Sequence, residues 1–186
     1  IVCFAASGEG HTPHLDGAPV DAIHADLSGD VDITSAHSLP ENASTAFNGI
    51  QKTGPFEVSH GQAQEWLCKP TNPNGRPNSD VLRPYWNGMD VTRRSRETWI
   101  VDFGAYTLSR DAALYEEPFL YVKQHVKPAR ADNRLRALRE NWWLHWRPRA
   151  EMRQALSALS RYIVTPEVSK HRVFYWAPMQ VLADKN

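Results

Sequence analysis

Two groups of residues in this chain could do chemistry by type and spacing. The first is carboxylate: Asp102 closes an apolar run, and Glu116, Glu117 and Lys123 follow it in the order a metal-dependent nuclease would use. Such a centre needs two or three carboxylates converging on a divalent ion with a lysine nearby. Asp102 stands directly after Trp99-Ile100-Val101, where capping or ion pairing is the plainer role, so a nuclease is the alternative hypothesis and not the first.

The second group is cationic, interleaved with amides and aromatic rings, and suits a polyanion. Arg and Lys neutralise phosphates and release counterions, while Asn and Arg form bidentate pairs with adenine and guanine edges. Arg76, Arg83, Arg93, Arg94 and Arg96 alternate with Asn78, Tyr85, Trp86 and Asn87, and the bland reading pairs them with Asp80, Asp90 and Glu97. Lys127, Arg130, Arg134, Arg136, Arg139, Arg147, Arg149 and Arg153 surround Trp142-Trp143-Leu144-His145-Trp146, whose three Trp cannot share one helix face. Ser160-Arg161, Thr165 and Ser169-Lys170-His171-Arg172 set short hydroxyls beside cations, a common way of holding phosphate. The candidate DNA contacts are therefore Arg76, Asn78, Arg83, Asn87, Arg93, Arg94 and Arg96, then Lys127, Arg130, Arg134, Trp143 and His145, and finally Arg161, Thr165, Ser169, Lys170 and Arg172.

The net charge of zero hides a split. Residues 1–75 hold two Lys against nine Asp or Glu, a net of −7, whereas residues 76–172 hold eighteen Lys or Arg against eleven Asp or Glu, a net of +7. One part of the surface is built to meet a polyanion.

Other motifs fail on their own terms. Gly8 and Gly10 lack the third glycine and the following helix of a nucleotide-binding turn. Asn72-Pro73-Asn74-Gly75 has the outline of the Asn-Pro-Pro-aromatic loop that grips a flipped base, but Asn74 and Gly75 stand where the second proline and the ring belong. The eight His form no metal-binding set. No catalytic residue, cofactor site or metal site is therefore expected in this chain. Cys3 and Cys68, the two cysteines, read as buried apolar groups in a reduced, cytoplasmic setting, and no segment is apolar for long enough to span a membrane.

The elements that must position these residues are short. Ile1–Ala6 reads as a strand, Ser7–Gly10 as a turn and Ala18–Leu27 as the partner strand of a hairpin. Residues 28–55 read as loop around an extended piece at Phe47–Gln51. Ser59 caps a helix to Lys69, and Trp99–Phe103 is a buried strand. Ser109–Lys127 is a helical stripe divided or kinked by Pro118, Asp132 caps a helix carrying Leu135, Leu138 and Trp142, and Ala150–Ser160 is another. Tyr162–Thr165 and Val173–Trp176 close the chain as strands. The fold class is α+β, a small mixed or antiparallel sheet with several packed helices. At 186 residues starting with Ile1, the chain reads as an excised piece able to bury a core.

Several blocks together resemble a known family: Leu39-Pro40-Glu41-Asn42, Lys52-Thr53-Gly54-Pro55-Phe56, Arg76-Pro77-Asn78-Ser79-Asp80-Val81, Pro84-Tyr85-Trp86-Asn87-Gly88-Met89-Asp90, Trp99-Ile100-Val101-Asp102-Phe103-Gly104, Trp142-Trp143 and Arg161-Tyr162-Ile163-Val164-Thr165-Pro166 through Ser169-Lys170-His171-Arg172. The run from Leu39 to Trp176 is similar to MmeI-like type IIG or IIL restriction-modification proteins, which join a nuclease, an adenine methyltransferase and a target-recognition domain in one chain. The resemblance implies that residues 1–27 are the closing hairpin of the methyltransferase domain or a junction to it, and residues 28–186 part of the recognition domain. It implies S-adenosylmethionine as cofactor of the parent but not of this piece, with double-stranded DNA and the parent's methyltransferase domain as partners. It leaves the piece itself non-catalytic. A structural spacer between methyltransferase and nuclease is the further alternative.

Overall fold

The protein is described by a computed structural model covering Gly10, residues 12–32 and residues 36–185. It divides into two units, Ile1–Ala43 and Ser44–Asn186.

In the first unit, β1 (His14–Leu15) and β2 (Ala18–Pro19) form a hairpin around Asp16 and Gly17, with φ of 50° and 85°. Two positive φ angles in a two-residue loop match the right-handed twist of the strands, and Asp-Gly supplies them cheaply. The strand expected over Ile1–Ala6, the turn at Ser7–Glu9 and Cys3 lie outside the described residues. The strand expected over Ala18–Leu27 stops at Pro19. A turn closed by Leu27 N–H to His24 O (2.9 Å) and by the Ser28 hydroxyl on Asp26 (2.8 Å) replaces it and leaves Ile23 and Leu27 exposed.

The second unit holds β3 (Glu57–Val58), β4 (Leu82–Trp86), β5 (Trp99–Val101), β6 (Arg161–Val164), β7 (Tyr175–Pro178) and β8 (Leu182–Ala183). Strands β3, β5, β4 and β8 lie side by side in that order, antiparallel except for the parallel β4–β8 pair. Strands β6 and β7 form a separate antiparallel ribbon with Ile163 opposite Trp176. The sheet-plus-helix architecture is α+β, as the sequence pattern implies. Strand β4 is the element that pattern conceals, because Pro84 in its middle reads as a strand breaker.

The helices are α1 (His60–Leu67), α2 (Gly88–Thr92), α3 (Ser109–Ala112), α4 (Glu116–Arg130), α5 (Arg136–Glu140) and α6 (Ala150–Leu156). Ser59 caps α1 by accepting the Gln62 N–H at 3.2 Å, and Ala63 and Trp66 enter the core. Cys68, expected inside, is exposed at the helix end. Pro118 neither kinks nor ends α4. It occupies the first turn, where its missing N–H would have no intrahelical partner, and the chain breaks before it between Ala112 and Glu116. Helix α5 is shorter than expected and excludes Trp142, and the side chain of Asn133, not Asp132, accepts the Leu135 N–H. Helix α6 ends at Leu156 rather than Ser160.

The main core gathers Ile50, Phe56, Tyr85, Ile100, Val101, Val122 and Val126 between the sheet and α4. A smaller cluster of Val164, Ala177 and Val181, flanked by Trp86 and Val91, fixes the β6–β7 ribbon against β4 and α2. Gly49 is required where the chain passes this edge: a Cβ there would lie 2.2 Å from the Asp184 carbonyl oxygen.

Candidate nucleic-acid interface

Several of the expected DNA contacts belong to the framework. Arg130 is 1% exposed. Its guanidinium donates to the carbonyls of Lys52 (2.6 Å), Thr53 (2.8 Å), Leu144 (2.7 Å), Trp142 (3.1 Å) and Asn141 (3.2 Å), and lies 5.0 Å from the centre of the Phe56 ring. Burial pushes it down to about 10, still cationic at neutral pH. Asn78 is buried and donates to Trp66 O at 3.0 Å. His145 is buried too, with Nε2 2.9 Å from Val101 O, and burial lowers its pKa against the opposing pull of the Asp102 carboxylate 3.7 Å from Nδ1. None of these three reaches solvent, and placing them at a DNA surface is corrected by their burial. Trp143 is half-buried and donates its indole N–H to Thr107 O at 2.9 Å.

Ion pairs engage others. Arg76 is bonded to Asp80. Arg96 pairs with Asp90 at 2.9 Å, and although burial raises the Asp90 carboxyl, the Arg96 side chain and the backbone N–H groups of Asn87 and Arg96 hold it below its ordinary value. Asn87 is the N-cap of α2: its side-chain oxygen accepts from Met89 N–H (2.9 Å) and Asp90 N–H (3.3 Å), while Asp90 accepts from Asn87 N–H (2.9 Å). This reciprocal box leaves Asn87 no oxygen for a bidentate adenine contact.

Asp102, on which a nuclease centre would rest, is enclosed. Arg153 binds both of its oxygens at 2.7 and 3.0 Å, and Gly104 N–H donates at 3.1 Å. Burial alone would raise this carboxyl, and the imidazole of His145 and the charge and hydrogen bonds of Arg153 bring it below the ordinary value. Glu117 is paired with Lys69 at 2.6 Å. Among the described residues no group of three or more His, Cys, Asp or Glu is gathered around a common point.

Of the remaining candidates, Arg93, Ser169 and Lys170 come together. An open cleft of about 640 Å³ lies between α2 and the loop joining β6 to β7. Asn87, Met89, Thr92 and Arg93 line one wall, and Val168, Ser169, Lys170, His171 and Val173 the other. Two basic stretches far apart in sequence thus meet here. Arg93 and Lys170 make no ion pair among the described residues, and Arg94 is exposed next to Arg93. Thr165 lines a smaller hollow alongside, with Trp86 and Val91. On the ribbon, Arg161 lies 4.2 Å from the centre of the exposed Trp176 ring, and Arg172 donates to Pro166 O at 2.6 Å. Lys127 sits over Trp142, Arg134 is exposed beyond α4, and Arg83 is half-exposed on β4, so these three are not brought to the cleft walls. Met89, Val168 and Val173 are cleft residues that charge patterning passes over. The helix-start signature Asn87-Gly88-Met89-Asp90 is the signal that would have located one wall.

A mixed α+β fold like this one is also found in a restriction-modification enzyme. In particular, the type IIL restriction-modification enzyme MmeI, solved in complex with DNA, matches with a TM-score of 0.57 over 90% of this chain at 13% identity. The matched part is 22% of the MmeI chain, so this chain spans about a fifth of that protein's length. No protein-family model and no curated protein sequence matches.

Proposed function

We propose that this chain is a DNA-contacting recognition segment of a bacterial restriction-modification methyltransferase, non-catalytic by itself. The observation that supports it most is the cleft, where Arg93 at the C-cap of α2 and Lys170 on the β6–β7 loop face a shared space with no ion-pair partner among the described residues. Unpaired cations on two separate elements suit two successive backbone phosphates, which position a duplex without reading it. Residues 1–27 would then adjoin the parent's methyltransferase domain and residues 28–186 form the recognition part. The parent would use S-adenosylmethionine to methylate an adenine in the cytoplasm. Gel-shift titration of the full chain with a duplex at rising salt tests the reading: binding at low salt that weakens steadily supports it, and no binding at low salt refutes it.

A further inference from the structure

The cleft has more than charge. Its walls carry Met89, Val168 and Val173 as well as the cations. Val168 is 90% exposed and Met89 48%, so this apolar surface stands open to a ligand and is no extension of the core. A phosphodiester alone needs only the two cations. An open cleft of about 640 Å³ with apolar side chains and one cation on each wall has the size of a small-molecule site and the chemistry of a base attached to its phosphate. An acidic peptide would match the two cations but leave Met89, Val168 and Val173 uncovered.

Resting on the proposed DNA contact, we infer that the cleft receives one unstacked nucleotide of the bound DNA. The base lies against Met89, Val168 and Val173, and the flanking phosphates lie on Arg93 and Lys170. His171 lines the same wall as Lys170, one residue along. Asn87 contributes only its amide N–H2, since its oxygen holds α2 in place.

The test uses the full chain with two otherwise identical duplexes, one fully paired and one with a single-nucleotide bulge containing 2-aminopurine. The bulged duplex is expected to bind about tenfold tighter, the order of one stacked base, with a change in 2-aminopurine fluorescence. Met89→Trp, which fills the cleft from an exposed position, should remove that advantage, so that the variant binds the bulged and the paired duplex equally. Val168→Trp provides an independent second filling of the same space. Equal affinity for the two duplexes, or a bulge advantage untouched by both substitutions, overturns the inference while leaving the phosphate contact standing. Displacement of both duplexes by polyglutamate as readily as by unlabelled DNA overturns it in favour of an acidic peptide. Failure of either duplex to bind removes both readings.

Discussion

Arg130→Met is the substitution that best separates framework from interface, because charge patterning puts Arg130 on a DNA surface and the structure encloses it. Five carbonyls take hydrogen bonds from its guanidinium. Lys52 O also accepts from Trp146 N–H and Asn141 O from Leu144 N–H, whereas Thr53, Trp142 and Leu144 depend on Arg130 alone among the described residues. Leaving a buried carbonyl unpaired costs roughly 1–3 kcal/mol, and at the low end three of them come to about 3 kcal/mol, with roughly 5 reached if the shared pair also weakens. For a chain of this size each kcal/mol lowers Tm by roughly 2–4 °C, so the variant should melt roughly 6–20 °C below the native chain. Circular dichroism melts and urea midpoints measure it. A Tm within about 2 °C of native combined with weakened DNA binding would refute the framework role.

Other consequences follow from the same geometry. Gly49→Ala places a Cβ 2.2 Å from the Asp184 carbonyl and should cost about 1–3 kcal/mol, read as a lower urea midpoint, because the 183–185 segment must move away from Ile50. Asp102→Asn strands the Arg153 guanidinium and should cost about 3–5 kcal/mol near neutral pH. Since the folded carboxyl titrates below its ordinary value of 3.8, its contribution is complete above that pH and fades as pH falls through the folded value. The stability gap between native and Asp102→Asn should therefore narrow in acid, and a gap constant from pH 7 to pH 3, roughly, would show that Asp102 is not held as described.

The α+β class, the Ser59-capped helix, the Trp99–Val101 strand and the pair of strands β6 and β7, displaced by one or two residues, are legible in the sequence because each rests on local chemistry, whereas the short β8 that follows them is not. Strand β4 and the real bounds of α4 are not, because they turn on whether a proline's missing N–H would have been needed, which is a matter of neighbours. The candidate site divides in the same way. Residue type marks Arg93, Lys170 and Arg130 alike as cations, and only tertiary packing separates two solvent-facing groups from one enclosed by five carbonyls. The cleft itself is invisible to spacing, since its walls lie roughly eighty residues apart along the chain and are joined through the small Val164, Ala177 and Val181 cluster.

The salt dependence of duplex binding, measured for the native chain and for Arg93→Ala/Lys170→Ala, tests the central claim most directly. The double variant should keep its Tm and lower affinity uniformly across DNA sequences, and the slope of log K against log salt should become shallower by about 2, close to one unit per lost phosphate contact. An unchanged slope with unchanged affinity would mean that DNA does not enter the cleft between α2 and the β6–β7 loop.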